Sequence, residues 1–142
     1  MARKKLFIDG DIFGEYANKL YKLASMEYLK ETTEQALVES KEYVTENLHK
    51  EMKKHHRSGK TEESISDDAK VTWEGTLASI KVGFKISEGG LASVFLMYGT
   101  PRVQPPDKKL YNAVYGSATS KKIAEIQREV FDNALRKIME EK

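Results

Sequence analysis

Three histidines and one Ser-Gly-Lys-Thr run come nearest to recognisable chemistry in this sequence, and both are tested first by spacing. His49, His55 and His56 fall within eight residues. Zinc ligands on a helix favour positions i and i+4, which pairs His49 with Lys53, and no cysteine-rich or carboxylate-rich segment completes a four-ligand set. These histidines read instead as polar residues at a helix end, where the helix dipole favours weakly cationic groups. Ser58-Gly59-Lys60-Thr61 matches the end of a phosphate-binding loop, but that loop needs a glycine where Lys54 stands and must follow a strand. Here it follows a helical pattern and reads as a helix stop and turn. Asp9-Gly10-Asp11 with Gly14 begins like a calcium loop, yet Phe13 and Leu20 occupy two ligand positions, leaving a turn and an N-cap. Asp67-Asp68, beside Ser66, is a turn pair rather than an acid–base dyad. No serine carries a nucleophile-elbow pattern, and the chain has no cysteine. No catalytic, metal or cofactor-binding residue is assigned, and the expectation is a protein without enzymatic activity.

Lys53, Lys54, Arg57 and Lys60 form a basic cluster within the segment from Lys50 to Lys60, after an acidic stretch holding Glu27, Glu31, Glu34, Glu39, Glu42 and Glu46. Overall, 24 basic and 22 acidic side chains leave a formal charge of only +2, so bulk charge selects no partner. The cluster has no interleaved aromatic for stacking single-stranded bases, and repeated around a ring its weak charge would become a stronger field. Absence of cysteine suits a reducing compartment. No apolar run approaches the ~20 residues of a membrane span, and Met1 to Ile8 is too short for a signal-peptide core, so a soluble, unprocessed chain is expected.

The elements that would position these residues follow from periodicity. At 142 residues the chain suits one domain spanning 1–142. From Asp11 to His56 there is no proline, and Gly14 lies in the first turn, so one long helix or two joined helices are expected. Phe13, Ala17, Leu20 and Ala24 trace an apolar stripe continued by Leu29, Thr33, Leu37, Val44, Leu48 and Met52. Unbroken, it would run ~65 Å, longer than a compact domain of this size accommodates, so a bend between Met26 and Thr33 is expected. His55 to Lys60 ends the helix, with Gly59 able to take the left-handed conformation.

Val71 to Phe84 then alternates apolar and polar residues around Glu74-Gly75-Thr76, which predicts a hairpin. After Gly89-Gly90, the apolar run Ala92 to Tyr98 reads as a central strand. Pro101, Pro105 and Pro106 make Gly99 to Asp107 an extended loop. Leu110 to Val114 is a short apolar segment, and Thr119 or Ser120 can N-cap a last helix with Ile123, Ile126, Val130, Ala134 and Ile138 on one face, widened by Phe131 and Leu135. The predicted fold is α+β: a long N-terminal helix, unbroken or bent, an antiparallel sheet of three to four strands, and a C-terminal helix packed on the sheet.

Three stretches in this order resemble the HK97-type tail-component family of long-tailed double-stranded DNA phages. The first is the end of the long helix with its basic turn, Arg57-Ser58-Gly59-Lys60-Thr61-Glu62-Glu63-Ser64-Ile65. The second is Ile80-Lys81-Val82-Gly83, and the third runs from Leu91-Ala92 to Tyr98-Gly99-Thr100, followed by Pro105-Pro106 and Leu110 to Val114. Met97 replaces the acidic residue usual in the family, Lys108-Lys109 stand where an aromatic is common, and Leu91 replaces an aromatic before Ala92.

The resemblance implies a non-catalytic virion subunit of the head-to-tail connector, assembling as a homo-oligomeric ring around the DNA conduit. It would contact connector or stopper proteins and tail terminator or tail tube proteins, in the host cytoplasm during assembly and at the head–tail junction afterwards. The expected interface comprises Arg57, Ser58, Gly59, Tyr98, Gly99, Thr100, Pro101, Arg102, Pro105 and Pro106, and the basic cluster Lys53, Lys54, Arg57 and Lys60 would face passing DNA. Prolines suit such a loop because they lower the entropy cost of ordering it on a partner. Three alternatives stand beside this reading: a tail terminator capping the tube, a small nucleic-acid-binding module using Lys50 to Lys60, and a small enzyme built on unrecognised carboxylates.

Overall fold

The computed structural model describes residues 10–102 and 104–141. The Met1 to Ile8 stretch and Asp9 of the calcium-like run lie outside these residues. The helical N-terminal half is two helices, α1 (Gly10–Ala24) and α2 (Met26–Met52). Ser25 makes the break just ahead of the expected bend. Its extended backbone (ψ 135°) leaves the helical region, its hydroxyl accepts the Tyr28 N–H, and Glu27 in the first turn of α2 complements the dipole. α2 continues into a 3₁₀ turn at Lys53–His55 and a bend at Arg57-Ser58-Gly59, where Gly59 takes φ +80° before the four-residue helix α3 (Lys60–Glu63).

The predicted hairpin is present but short. β1 (Thr72–Glu74) and β2 (Leu77–Ser79) pair antiparallel, with Trp73 opposite Ala78 and Gly75-Thr76 as the turn. Trp73 is pinned to α2 by its indole N–H, which donates to Glu34 Oε1 at 2.7 Å. Ile80 to Gly83 continue without a strand partner, and Phe84 returns only to form a single bridge with Ile65.

Three expectations are corrected. Among the described residues the sheet has two strands rather than three or four. The apolar run read as a central strand is the helix α4 (Leu91–Tyr98). Leu91, Ala92, Leu96 and Met97 are strong helix formers, only Val94 is β-branched, and burial follows a helical period: Ser93 is buried, Leu96 and Met97 partly so, and Phe95 and Tyr98 are exposed. Finally, the C-terminal helix α6 (Ser117–Glu140) packs chiefly along α2, with further contacts to α5 (Lys108–Tyr115) and α1, rather than on the sheet. The chain is thus mostly helical with a small antiparallel hairpin.

α6 begins earlier than its expected caps. Thr119 is buried inside it and donates its hydroxyl to the Asn112 carbonyl at 2.7 Å, tying α6 to the end of α5. Val130 and Ile138 face inward as read, whereas Phe131 and Leu135 remain in solvent and do not widen the buried face. The core lies between α2, α5 and the Ile65 bridge: Val44, Leu48 and Met52 follow one another at four-residue steps and meet Leu110 and Ala113. α1 caps the far end of the α2–α6 pair, where the Lys19 ammonium donates to the Met139 carbonyl.

Candidate functional site: a cleft between the basic turn and the proline loop

The 3₁₀ turn after α2 and the loop after α4 meet through two side chains 52 positions apart. His55 Nε2 is hydrogen-bonded to Asp107 Oδ2 at 2.6 Å. Asp107 also caps α5, its other oxygen accepting the Lys109 and Leu110 N–H groups at 3.0 and 3.1 Å, while its own N–H donates to the Leu96 carbonyl. One residue thereby joins the 3₁₀ turn after α2 to α4 and α5, its carboxylate reaching His55 and α5 and its N–H reaching α4. Between Gly99 and Asp107 the loop closes on itself: the Thr100 N–H donates to the Gln104 carbonyl, and the Gln104 N–H donates to the Thr100 hydroxyl at 2.9 Å. Pro101 and Arg102 form its exposed tip.

These anchors open a cleft of about 730 Å³. Lys54, His56 and the Arg57-Ser58-Gly59 turn make one wall, Thr100 and Gln104 the other, and Ala92, Phe95 and Leu96 of α4 the floor. Phe95 is 50% exposed, a large apolar surface left beside two cationic side chains. With Glu62 also in the lining, the cleft offers hydroxyl, amide, cationic and carboxylate groups around an apolar floor, chemistry suited to recognising a protein segment.

The sequence-predicted residues separate into groups. Arg57, Ser58, Gly59 and Thr100 share the cleft with Lys54 of the basic cluster, while Gly99, the C-cap of α4, lies outside its lining. Tyr98 and Pro106 line a different groove, and Pro101, Arg102 and Pro105 are exposed on the loop. Lys53 and Lys60 are exposed outside the lining. Lys54 is hydrogen-bonded to Glu51, and this contact above all, with the negative charges of Glu51 and Asp107, holds its ammonium above its ordinary value against the opposing effect of desolvation.

The histidines are not idle helix-end residues. His49 Nε2 lies 2.9 Å from Asp67 Oδ2 and its Nδ1 lies 3.4 Å from Glu62 Oε1, while His56 approaches the other Glu62 oxygen at 3.5 Å. They fasten the end of α2 to α3 and the turn beyond it. Asp68 pairs instead with Lys85, so the two adjacent aspartates serve different contacts. Among the described residues no group of three His, Cys, Asp or Glu side chains is placed to hold a metal ion, and no helix is long and apolar enough to cross a membrane. The His55–Asp107 link was not read from sequence. Its one local signal is Asp107 immediately before a short apolar segment, an N-cap pattern for α5.

Burial pushes the Asp107 carboxyl up, but the His55 hydrogen bond, the two backbone N–H groups and the His55 charge together outweigh it and hold the group below its ordinary 3.8. Because the folded-state value is lower than the unfolded one, this stabilisation is complete above 3.8 and is lost as pH falls through the lowered value. Asp107→Ala should cost about 1–2 kcal/mol at neutral pH through the lost cap and hydrogen bond. Urea denaturation at neutral pH and at successively lower values should show the gap between wild type and variant narrowing on acidification.

The chain was compared with protein-family models, curated proteins and solved structures, and none of these matches it.

Proposed function

We propose that the chain is a structural subunit of the head-to-tail junction of a long-tailed double-stranded DNA phage or prophage, assembling as a ring around the DNA conduit. One observation carries this reading: Arg57-Ser58-Gly59 and the Gly99-Thr100 loop, the two segments central to the resemblance to the HK97-type tail-component family, converge on one cleft. A shared contact surface requires such convergence. Large side chains left in water at separate places, Tyr16, Leu20 and Tyr21 on α1 and Leu91 and Phe95 on α4, add apolar area that neighbouring subunits would cover. In this reading the cleft takes a segment of an adjacent subunit or of a connector or tail protein. Lys53, Lys54, Arg57 and Lys60, all exposed on one end of the molecule, supply non-specific attraction to passing DNA. A tail terminator would use the same surfaces and belongs to the same class.

Arg57→Glu reverses charge on the cleft wall at an exposed position. It should leave folding stability within about 0.5 kcal/mol of wild type. Assembly of higher oligomers, measured by sedimentation velocity over a concentration series, should weaken at least about tenfold, as should joining of purified heads to tails. Unchanged assembly and joining would refute the assignment of the cleft. A monomer with tight, steeply salt-dependent affinity for duplex DNA would favour the nucleic-acid-binding alternative.

A further inference from the structure

On the other side of α4 from the cleft, a second groove of about 440 Å³ is lined by Met97, Tyr98, Pro106, Lys108, Tyr111 and Asn112. Tyr98 closes α4, and its ring meets Tyr111 of α5 edge to face, with centroids 5.7 Å apart and planes at 74°. Tyr115, one turn further along α5, extends the aromatic surface at 5.0 Å from Tyr111. Tyr98 and Tyr115 are 61% and 59% exposed, so folding buries neither ring. No carboxylate lines the groove, and among the described residues neither Lys108 nor the adjacent Lys109 is in an ion pair with an acidic side chain.

We infer that this groove is a docking site for an extended, proline-containing segment of a partner protein that carries an acidic residue beside its prolines. Two aromatic rings meeting edge to face nearly at right angles form an apolar corner, and a prolyl ring is a body of the size and stiffness to pack into it. Polyproline backbone has no internal hydrogen bonds, so its carbonyls stay free to accept from the Asn112 amide and the tyrosine hydroxyls at the rim. Its preformed shape lowers the ordering cost of binding to a shallow groove. The acidic residue follows from charge complementarity, since the uncompensated Lys108 sits in the lining and Lys109 beside it. Single-stranded nucleic acid would also meet lysine and tyrosine here, but successive bases stack on faces that run roughly parallel, and the Tyr98–Tyr111 angle interrupts such a stair.

The test uses the full chain and fluorescently labelled synthetic peptides followed by anisotropy. A short peptide of repeated Pro-Pro-Glu units should bind saturably, and repeated Gly-Gly-Glu units should bind at least about tenfold more weakly. Tyr98→Ala, at an exposed helix end, should weaken the Pro-Pro-Glu peptide by about tenfold or more without altering the circular dichroism spectrum. Lys108→Glu should weaken Pro-Pro-Glu and strengthen Pro-Pro-Lys, a reversal that misfolding cannot produce. Failure of Pro-Pro-Glu to saturate overturns the inference, as does equal binding of Gly-Gly-Glu, indifference to Tyr98→Ala, or absence of the charge reversal. Binding of oligothymidylate that exceeds the peptide's and is abolished by Tyr98→Ala would overturn it in favour of a nucleic-acid groove.

Discussion

Leu48→Ala is expected to lower folding stability by about 2–5 kcal/mol, because it removes a wholly buried side chain from the cluster in which α2, α5 and the Ile65 bridge meet. The transfer free energy of the lost methyl and methylene groups is one part of that cost. The cavity left against Leu110 and Met52 is the other, since Leu110 and Met52 are themselves buried and fixed on different helices. For a domain whose total stability is expected near 5–15 kcal/mol, that loss is a large share of the whole. Urea denaturation followed by circular dichroism should show a lower midpoint with the slope unchanged. A loss under about 1 kcal/mol would mean that this cluster is not the centre of the fold. The position also matters to the site, because the end of α2 one turn further on carries His55 and the basic turn to the cleft.

Gly99→Ala should act at the site more directly. Gly99 has φ +73° and ψ 175°, a conformation that side-chain-bearing residues rarely adopt. An added Cβ would lie 2.8 Å from both the Gln104 carbonyl oxygen and the Pro106 nitrogen. Both are backbone atoms of the closed loop, so no side-chain rotation relieves the clash. The loop must move, and with it the Thr100–Gln104 bridge that builds one wall of the cleft and the Pro106 edge of the tyrosine groove. The expected cost is about 2–4 kcal/mol from strain and overpacking together. Thermal unfolding reads the stability, and the sedimentation series used for Arg57→Glu reads the contact surface. An alanine variant with wild-type stability and assembly would show that the loop has no required conformation.

How far each element was legible depends on whether its determinants are local. Val44, Leu48 and Met52 recur at helical spacing at the end of a longer stripe, and the Gly75-Thr76 turn sits between alternating residues, so periodicity and turn chemistry sufficed for both. The break between α1 and α2 was expected a few residues late. Ser25 followed by Glu27 is the local cap signal, weaker to the eye than the uninterrupted stripe. Leu91 to Tyr98 shows the opposite limit. Eight largely apolar residues contain barely two helical turns, and a strand and a buried helix segment look alike at that length. Residue type favoured the helix, since Leu91, Ala92, Leu96 and Met97 are strong helix formers, and the helix sets Phe95 and Leu96 in the cleft lining.

The candidate site divides in the same way. Residue types and spacing excluded an intact phosphate loop, a helical zinc pair and a calcium loop, and they singled out the Arg57-Ser58-Gly59 turn and the proline-bounded loop. That one residue, Asp107, ties His55 to α4 and α5 could not be read locally, because a contact between residues 52 positions apart depends on how α2 lies against α4 and α5. The tyrosine groove escaped for a related reason: Tyr111 and Tyr115 pair only if Lys108–Tyr115 is a helix, and Tyr98 joins them only after α4 packs on α5. By itself the sequence determined the long amphipathic helices, the turns between them and the absence of familiar catalytic motifs, all consequences of short-range sterics and periodic burial. Tertiary structure alone decided which turns became neighbours, because hydrophobic burial orders whole helices and carries their distant polar ends together.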